Sequence, residues 1–403
     1  MKRILRKCRD RFRSMRDRWQ LPSAARAEAR RDHAGLPLVD PGPERIIEAG
    51  LGWLCRAQDN SAGRDGGVAR HYSLVTGWAP SYPETTGYIV PTLLQCAELR
   101  GDDSLRQRVL RMLDWLASIQ LPAGSFQGGT IGARPVIGVT FNTGQVLLGL
   151  AAGVSHFGER FRTPMRRAAD WLVNTQDADG CWRKHPTPFA MPGEKAYEPH
   201  VAWGLLEAAR QDPDRGYAEA ALANVDWALR FQLDNGWFAQ CCLSDPSQPL
   251  THTLGYVLRG LVEAYRYSRN APFLHAARRT ADGLLGATRS DGFLPGRLDH
   301  DWRGTVGWAC LTGSAQIAHC WLQLHEATGD VRYRDVAAAA NAYVRRTVRV
   351  DGPPDTRGAV KGSFPVDGGY GTFEYLSWAC KFVIDSNLRE LQHGVSAEPT
   401  QAR

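Results

Sequence analysis

The chain alternates between two kinds of apolar stretch. In one, small and apolar residues crowd the whole circumference of a helix, as from Asn142 to His156, where Val146, Leu147, Leu148, Leu150, Ala151 and Val154 leave little room for a wet face. In the other, apolar residues return at helical spacing between charges. From Arg162 to Thr175, Met165, Ala168, Ala169, Leu172 and Val173 are interleaved with Arg166, Arg167 and Asp170. The first pattern predicts a helix buried nearly all round and the second a helix with one solvated face, an asymmetry that suits two concentric rings. The pair recurs: segments beginning at Tyr88, Phe141, Tyr197, Thr253, Thr312 and Thr372 are spaced by 53 to 60 residues, enough for two helices and a loop.

Glycine-rich turns flanked by aromatics separate the pairs. The clearest runs from Gln176 through Gly180 to Trp182. Related turns join Gln232, Gly236 and Trp237; Gln120, Gly124 and Phe126; Gly292 and Phe293; and Gln58 and Gly63. Glycine takes the positive φ that ends a helix, and the aromatic folds back onto the core. The last copy supplies only its first helix, Thr372 to Arg389, and the chain opens with an unpaired helix around Arg45 to Ala57. Paired, these two complete six hairpins and close a ring.

The Gln-to-Trp turns resemble the repeat of terpenoid cyclases, and the whole layout resembles the (α/α)6 toroid shared with the six-hairpin glycosidases and related epimerases, over about residues 40–390. The resemblance implies an all-α fold of six helical hairpins in two concentric rings. It says little about substrate, because one fold hosts many chemistries. The expected division is a basic amphipathic arm over residues 1–38, the toroid over 39–392 and a short tail over 393–403. At 403 residues the uninterrupted repeat argues for one large domain.

Charge is uneven. Residues 1–31 carry 12 Lys/Arg and 3 Asp/Glu, a balance of +9 against +7 for the whole chain, so the body is slightly acidic and no nucleic-acid surface is expected. Within the arm Ile4, Cys8, Phe12, Met15 and Trp19 fall on one helical face among arginines, a pattern suited either to contact with an anionic inner-membrane surface or to a partner-binding or solvated arm. No apolar run is long enough for a signal-peptide core or a membrane span, which makes a cytoplasmic location, peripheral to the inner membrane if the arm binds it, the expectation. Nine scattered cysteines, an odd number, read as small core residues in a reducing compartment.

In such a ring the long loops lead into the inner helices, so the first turn of each inner helix faces the cavity beside those loops, with free backbone N–H groups. Tyr82, Pro83, Glu84 and Tyr88 stand at one such start, and Glu84 is either a dipole-compensating carboxylate or a functional one. Equivalent starts supply Asn142 and Gln145, then Glu198 and His200, then His252 and Tyr256, then Gln316, and finally Tyr370 and Glu374. Loops add Arg70, His71, Trp182, Arg183 and Trp237, and further along Arg297, Asp301, Trp302 and Arg303. Aromatics, carboxylates and cations together fit a carbohydrate or glycolipid substrate, and the cations favour one that carries carboxylates.

Three chemistries follow for a uronate-containing glycan. Glycoside hydrolysis needs two carboxyl groups, roughly 5 Å apart for retention or 6.5–9.5 Å for inversion, and Glu84, Glu198, Asp301 and Glu374 are the candidates. Elimination or C5 epimerisation needs an acid and a base about one carbon with a cation on the substrate carboxylate. Tyr82, His200, His252 and Tyr370 would move the protons, and Arg297 or Arg303 would neutralise. The run from Gly369 to Phe382 is loosely similar to the closing helix of toroids of bacterial polysaccharide pathways. A non-catalytic glycan- or partner-binding toroid is the alternative from another class. A terpenoid cyclase is a third, although the Asp102 and Asp103 pair falls on the short-loop rim rather than on an inner helix. No metal or cofactor is expected.

Overall fold

The computed structural model describes residues 21–394. Helix α1 (Ser23–His33) precedes twelve helices that alternate between an outer and an inner ring. The outer helices are α2 (Pro43–Asp59), α4 (Asp103–Ile119), α6 (Arg162–Thr175), α8 (Tyr217–Leu229), α10 (Ala271–Ala287) and α12 (Val331–Thr347). The inner ones are α3 (Pro83–Arg100), α5 (Thr140–Phe157), α7 (Pro199–Gln211), α9 (Thr251–Ser268), α11 (Leu311–Thr328) and α13 (Ser377–Gln392). Each inner helix packs on the next, α13 meets α3, and α2, first of the twelve in sequence, is the hairpin partner of α13, the last.

The two helix classes differ as their patterns require. On α5 every residue from Thr140 to Ala151 is buried, whereas α6 buries Met165, Ala168, Ala169, Trp171 and Leu172 and turns its arginines outward. Inner-to-outer connections are short. Asp102 serves as the N-cap of α4, its carboxylate accepting from the N–H groups of Ser104 and Leu105, a structural duty for that acid. Outer-to-inner connections are long and gather on the opposite rim.

In four of the long loops the recurrent glutamine and glycine bolt the loop to the next outer helix. Gln176 Nε2 donates to the carbonyls of Gly180 (3.0 Å) and Ala220 on α8 (2.9 Å), and Gln120 and Gln232 do the same onto Pro164 of α6 and Ala276 of α10. Gly180 has φ 92°, and a Cβ there would lie 2.4 Å from the Ala223 carbonyl oxygen, so only glycine fits. In the first turn Gln58 reaches Gly66 and Arg108 of α4, so Gly66 takes the place expected of Gly63.

Five short strands lie in the long loops: β1 (His71–Ser73), β2 (Gly77–Trp78), β3 (Ala309–Cys310), β4 (Ser363–Phe364) and β5 (Glu374–Leu376). The order β2-β1-β5 is antiparallel, with Tyr72 opposite Tyr375 and Ser73 opposite Glu374, and it joins the first long loop to the last. The final inner helix therefore starts at Ser377, not Thr372, because the preceding residues are drawn into this sheet.

Residues 1–20 lie outside the described residues, and with them the apolar face of the arm from Ile4 to Trp19. Helix α1 docks on the last long loop. Lys361 Nζ is buried between Glu28 (2.7 Å) and Asp32 (2.5 Å), Asp32 also accepts from the Val366 N–H (2.8 Å), and His33 meets Asp367 (3.0 Å). Among the described residues no helix is long and apolar enough to cross a membrane, and the eight cysteines are unpaired.

Candidate active site

A cavity of about 460 Å³ opens among the long loops at the mouth of the inner ring. Its walls are the aromatic faces of Tyr82, Phe141, Tyr197, Tyr256, Tyr370 and Trp378, and its polar groups are Glu84, Arg70, His71 and His252. Glu84 is the second residue of α3. Pro83 starts the helix with its φ preset and without an N–H to waste, and the free N–H groups of that first turn favour an acid there.

Glu84 is 8% exposed and accepts one hydrogen bond from protein, from the Tyr82 hydroxyl at 2.5 Å. Burial raises its pKa to about 7, against the smaller lowering effects of the Tyr82 bond and the Arg70 charge. At neutral pH it is thus poised to give or take a proton. Asn142 places its amide beside the Tyr82 hydroxyl, and its Nδ2 has no other partner.

His252, on α9, lines the same cavity as Glu84. Its Nδ1 lies 3.1 Å from Gln316 Oε1 on α11, so Nδ1 carries the hydrogen and Nε2 keeps its lone pair. Burial holds its pKa down to about 3, which keeps the ring neutral. Tyr370 accepts from Trp378 Nε1 at 2.9 Å and retains its own O–H to donate. The same His–Gln pairing recurs one hairpin earlier, with His200 Nδ1 2.7 Å from Gln145 Oε1. His200 is fully buried behind Phe141 and Tyr256, and its Nε2 has no partner.

Arg70 is the cation of the cavity. It stacks over Trp378 (5.1 Å), donates to His71 Nδ1 (2.8 Å) and to Glu374 Oε2 (3.2 Å), and remains partly exposed. Glu374 was placed by its spacing on an inner helix. It lies instead on β5, where it pairs with Arg70 and lies 3.5 Å from Nε2 of His71, whose pKa burial lowers.

Glu198 lines an adjoining cavity of about 240 Å³ with Trp182, Arg183 and Lys195. The two cavities share Phe141, Thr187 and Tyr197. Burial pushes Glu198 up to about 8, and its Oε2 has no hydrogen-bond partner.

The remaining candidates fall elsewhere. Trp182 donates to the Leu172 carbonyl (2.9 Å), and Arg183 is held by Asp177, Asp179 and Glu194. Tyr88 sits one turn deeper than Glu84 against Phe382. Trp237 and Trp302 pack on each other at 5.1 Å over the outer ring. Arg297 donates to the Gln248 carbonyl, and Asp301 and Arg303 form an exposed pair. Asp301, Trp302, Arg303, Arg297, Trp237 and Tyr88 thus stand outside the main cavity. Arg297 and Arg303, expected to neutralise a substrate carboxylate, do not line the main cavity; the arginine that does is Arg70, in the loop before the Tyr82–Glu84 turn. Phe141 and Trp378 were hidden as ordinary core aromatics, and the clasp of Glu28, Asp32 and Lys361 has no local signature. Among the described residues no group of three or more His, Cys, Asp and Glu side chains is gathered as a metal ion requires.

The fold is the (α/α)6 toroid. The chain superposes on a heparin-specific unsaturated glucuronyl hydrolase with a TM-score of 0.71 at 15% identity, over 88% of this chain and 98% of that one. An unsaturated glucuronyl hydrolase from Bacillus sp. GL1, responsible for glycosaminoglycan degradation, gives 0.68 at 18% identity over 88% and 97%. A D-mannose isomerase gives 0.68 at 11% identity over 89% and 100%. No protein-family model matches the sequence, and no curated protein matches it.

Proposed function

We propose that the protein is an enzyme acting on a uronate-bearing carbohydrate by proton transfer through Glu84, with Arg70 receiving the substrate carboxylate. The observation that carries this reading is a single buried carboxyl, titrating at about 7, in an aromatic-walled cavity whose cation retains guanidinium N–H groups for a ligand. Aromatic faces suit pyranose rings, and about 460 Å³ is within the usual range for small-ligand sites.

One acid at the reacting bond favours hydrolysis of an unsaturated uronyl end. Its double bond is conjugated with the ring oxygen, an enol ether. Protonation of its carbon by Glu84 and addition of water at the oxygen-bearing carbon produce a hemiketal that opens and releases the next sugar. No second carboxylate is needed, unlike the hydrolysis of a saturated glycoside. The similarity to unsaturated glucuronyl hydrolases supports this substrate class. His252 favours a second reading. A neutral imidazole with a free Nε2 suits removal of a proton from a carbon beside a carboxylate or carbonyl, and Glu84 would return it, which gives epimerisation or isomerisation. We place either activity in bacterial polysaccharide metabolism at the cytoplasmic face of the inner membrane, with residues 1–20 as the membrane contact.

The test incubates wild type and Glu84→Gln with unsaturated and saturated uronate oligosaccharides in deuterated water. Loss of the double-bond absorbance with new reducing ends, abolished in the variant, supports hydrolysis. Deuterium at the uronate carbon without cleavage supports the second reading. Saturable binding with no turnover of any substrate would reduce the protein to a glycan binder.

A further inference from the structure

Two of the long loops that wall the cavity carry large apolar side chains outward. Val136 and Ile137 are 40% and 42% exposed, and Phe189 and Met191 are 64% and 59% exposed. They form one rim. The Gly128 N–H donates to the Ile137 carbonyl (3.1 Å), a Cβ on Gly129 would lie 3.4 Å from the Phe189 ring, and the Met191 N–H donates to the Leu243 carbonyl (2.7 Å). The inner sides of the same loops, at Gly129, Thr130, Thr187 and Phe189, line the cavity. A molecule whose head fills the cavity and that extends past these two loops crosses this apolar surface. Exposed apolar side chains gathered at a binding mouth mark a surface that is covered in use.

A second observation concerns the same end of the toroid. Helix α1 is anchored on the last long loop by Glu28, Asp32 and His33, at the long-loop end of the toroid, and the sequence that precedes it is strongly basic with apolar residues Ile4, Cys8, Phe12, Met15 and Trp19 at helical spacing. Basic and apolar groups together are the complement of an anionic lipid surface.

We propose that the substrate is a lipid-linked saccharide whose aliphatic chain lies on the rim made by Val136, Ile137, Phe189 and Met191 while its sugar enters the cavity. The proposal rests on the uronate reading for the identity of the head group, but the rim can be tested separately. The probes are methyl glucuronide, octyl glucuronide and octyl glucoside below their micelle concentrations, with binding followed calorimetrically to the full chain. Each buried methylene strengthens binding by up to about fourfold, so octyl glucuronide should bind at least about tenfold more tightly than methyl glucuronide.

The triple variant Val136→Ser, Ile137→Ser, Met191→Ser should lose that gain and bind methyl glucuronide as wild type does. Equal affinity for methyl and octyl glucuronides overturns the proposal and leaves the uronate reading standing. Octyl glucoside binding as tightly as octyl glucuronide, with the gain lost in the variant, supports the rim and overturns the uronate head group. A chain-length gain that survives in the triple variant also overturns the proposal. Should the triple variant fail to fold, Met191→Ser alone should lose part of the gain, and its failure to do so counts against the rim.

Discussion

Glu84 and Glu263 are both glutamates buried on inner helices, 8% and 4% exposed, at opposite ends of the toroid axis. Near the short-loop rim, Glu263 accepts from Arg259 Nε (2.8 Å), Gln323 Nε2 (2.8 Å) and Arg266 Nη1 (3.3 Å), and these partners hold its pKa below the usual value despite burial. At the mouth Glu84 has one tyrosine hydroxyl and a more distant arginine, and burial prevails. Equal burial thus gives opposite acids. Glu263 is a permanent charge that ties helices together, and Glu84 is a proton store at neutral pH.

The sharpest test of this contrast is turnover. Glu84→Gln is expected to lower kcat by about 10²–10⁴-fold, the usual worth of a general acid or base, in whichever of the proposed reactions the wild type performs. Loss of less than tenfold would remove Glu84 from the chemistry.

Stability should respond in the reverse order. Glu263→Gln leaves Arg259 buried without its counter-charge and should cost about 3–5 kcal/mol in urea unfolding. Glu84→Gln removes no close ion pair and should cost no more than about 1 kcal/mol. Equal costs would break the comparison.

The pH dependence carries opposite signs. The folded pKa of Glu84 lies above its ordinary 4.5, so between about 4.5 and about 7 the native state holds a proton that the unfolded chain has lost. Its contribution falls by roughly 3 kcal/mol as pH rises through that window. Glu198, raised to about 8, adds a loss of the same sign. Glu263, lowered on folding, contributes above 4.5 and loses its contribution as pH falls through its folded pKa. Unfolding free energies of wild type and Glu84→Gln at pH 5 and pH 7 should therefore differ in slope, the variant losing less; parallel slopes would show that Glu84 is ionised as usual.

The smallest effect is expected at the hydrogen bond that sets the His252 tautomer. Gln316→Leu removes one neutral hydrogen bond, worth about 1 kcal/mol, and should reduce turnover about fivefold if Nε2 is the base and leave it unchanged if hydrolysis needs only Glu84.

Most of the ring was legible. Helices buried all round alternate with amphipathic ones because each inner helix is enclosed by neighbours and each outer helix meets solvent on one side. The turn glutamines recur in four long loops because each fixes its loop to the next outer helix, and Gly292 and Gly358 make the same close approach to α12 and α2 in the last two. The start of α3 was legible from Pro83 and Glu84 together. The last copy departs from its pattern at Glu374, because pairing with β1, some 300 residues away in sequence, turns an apparent helix start into a strand. Asp301 and Arg303 looked like site residues by type, but an exposed turn pairs them with each other.

The sequence by itself determined the architecture, since helix periodicity and glycine turns act over a few residues and recur around the ring, with proline starts at four of its helices. Only the tertiary structure decided the chemistry. The proton affinity of Glu84 depends on which charges the fold brings within a few ångströms of it, and Arg70, drawn aside by Glu374 and Trp378, leaves it with too little cation to remain ionised.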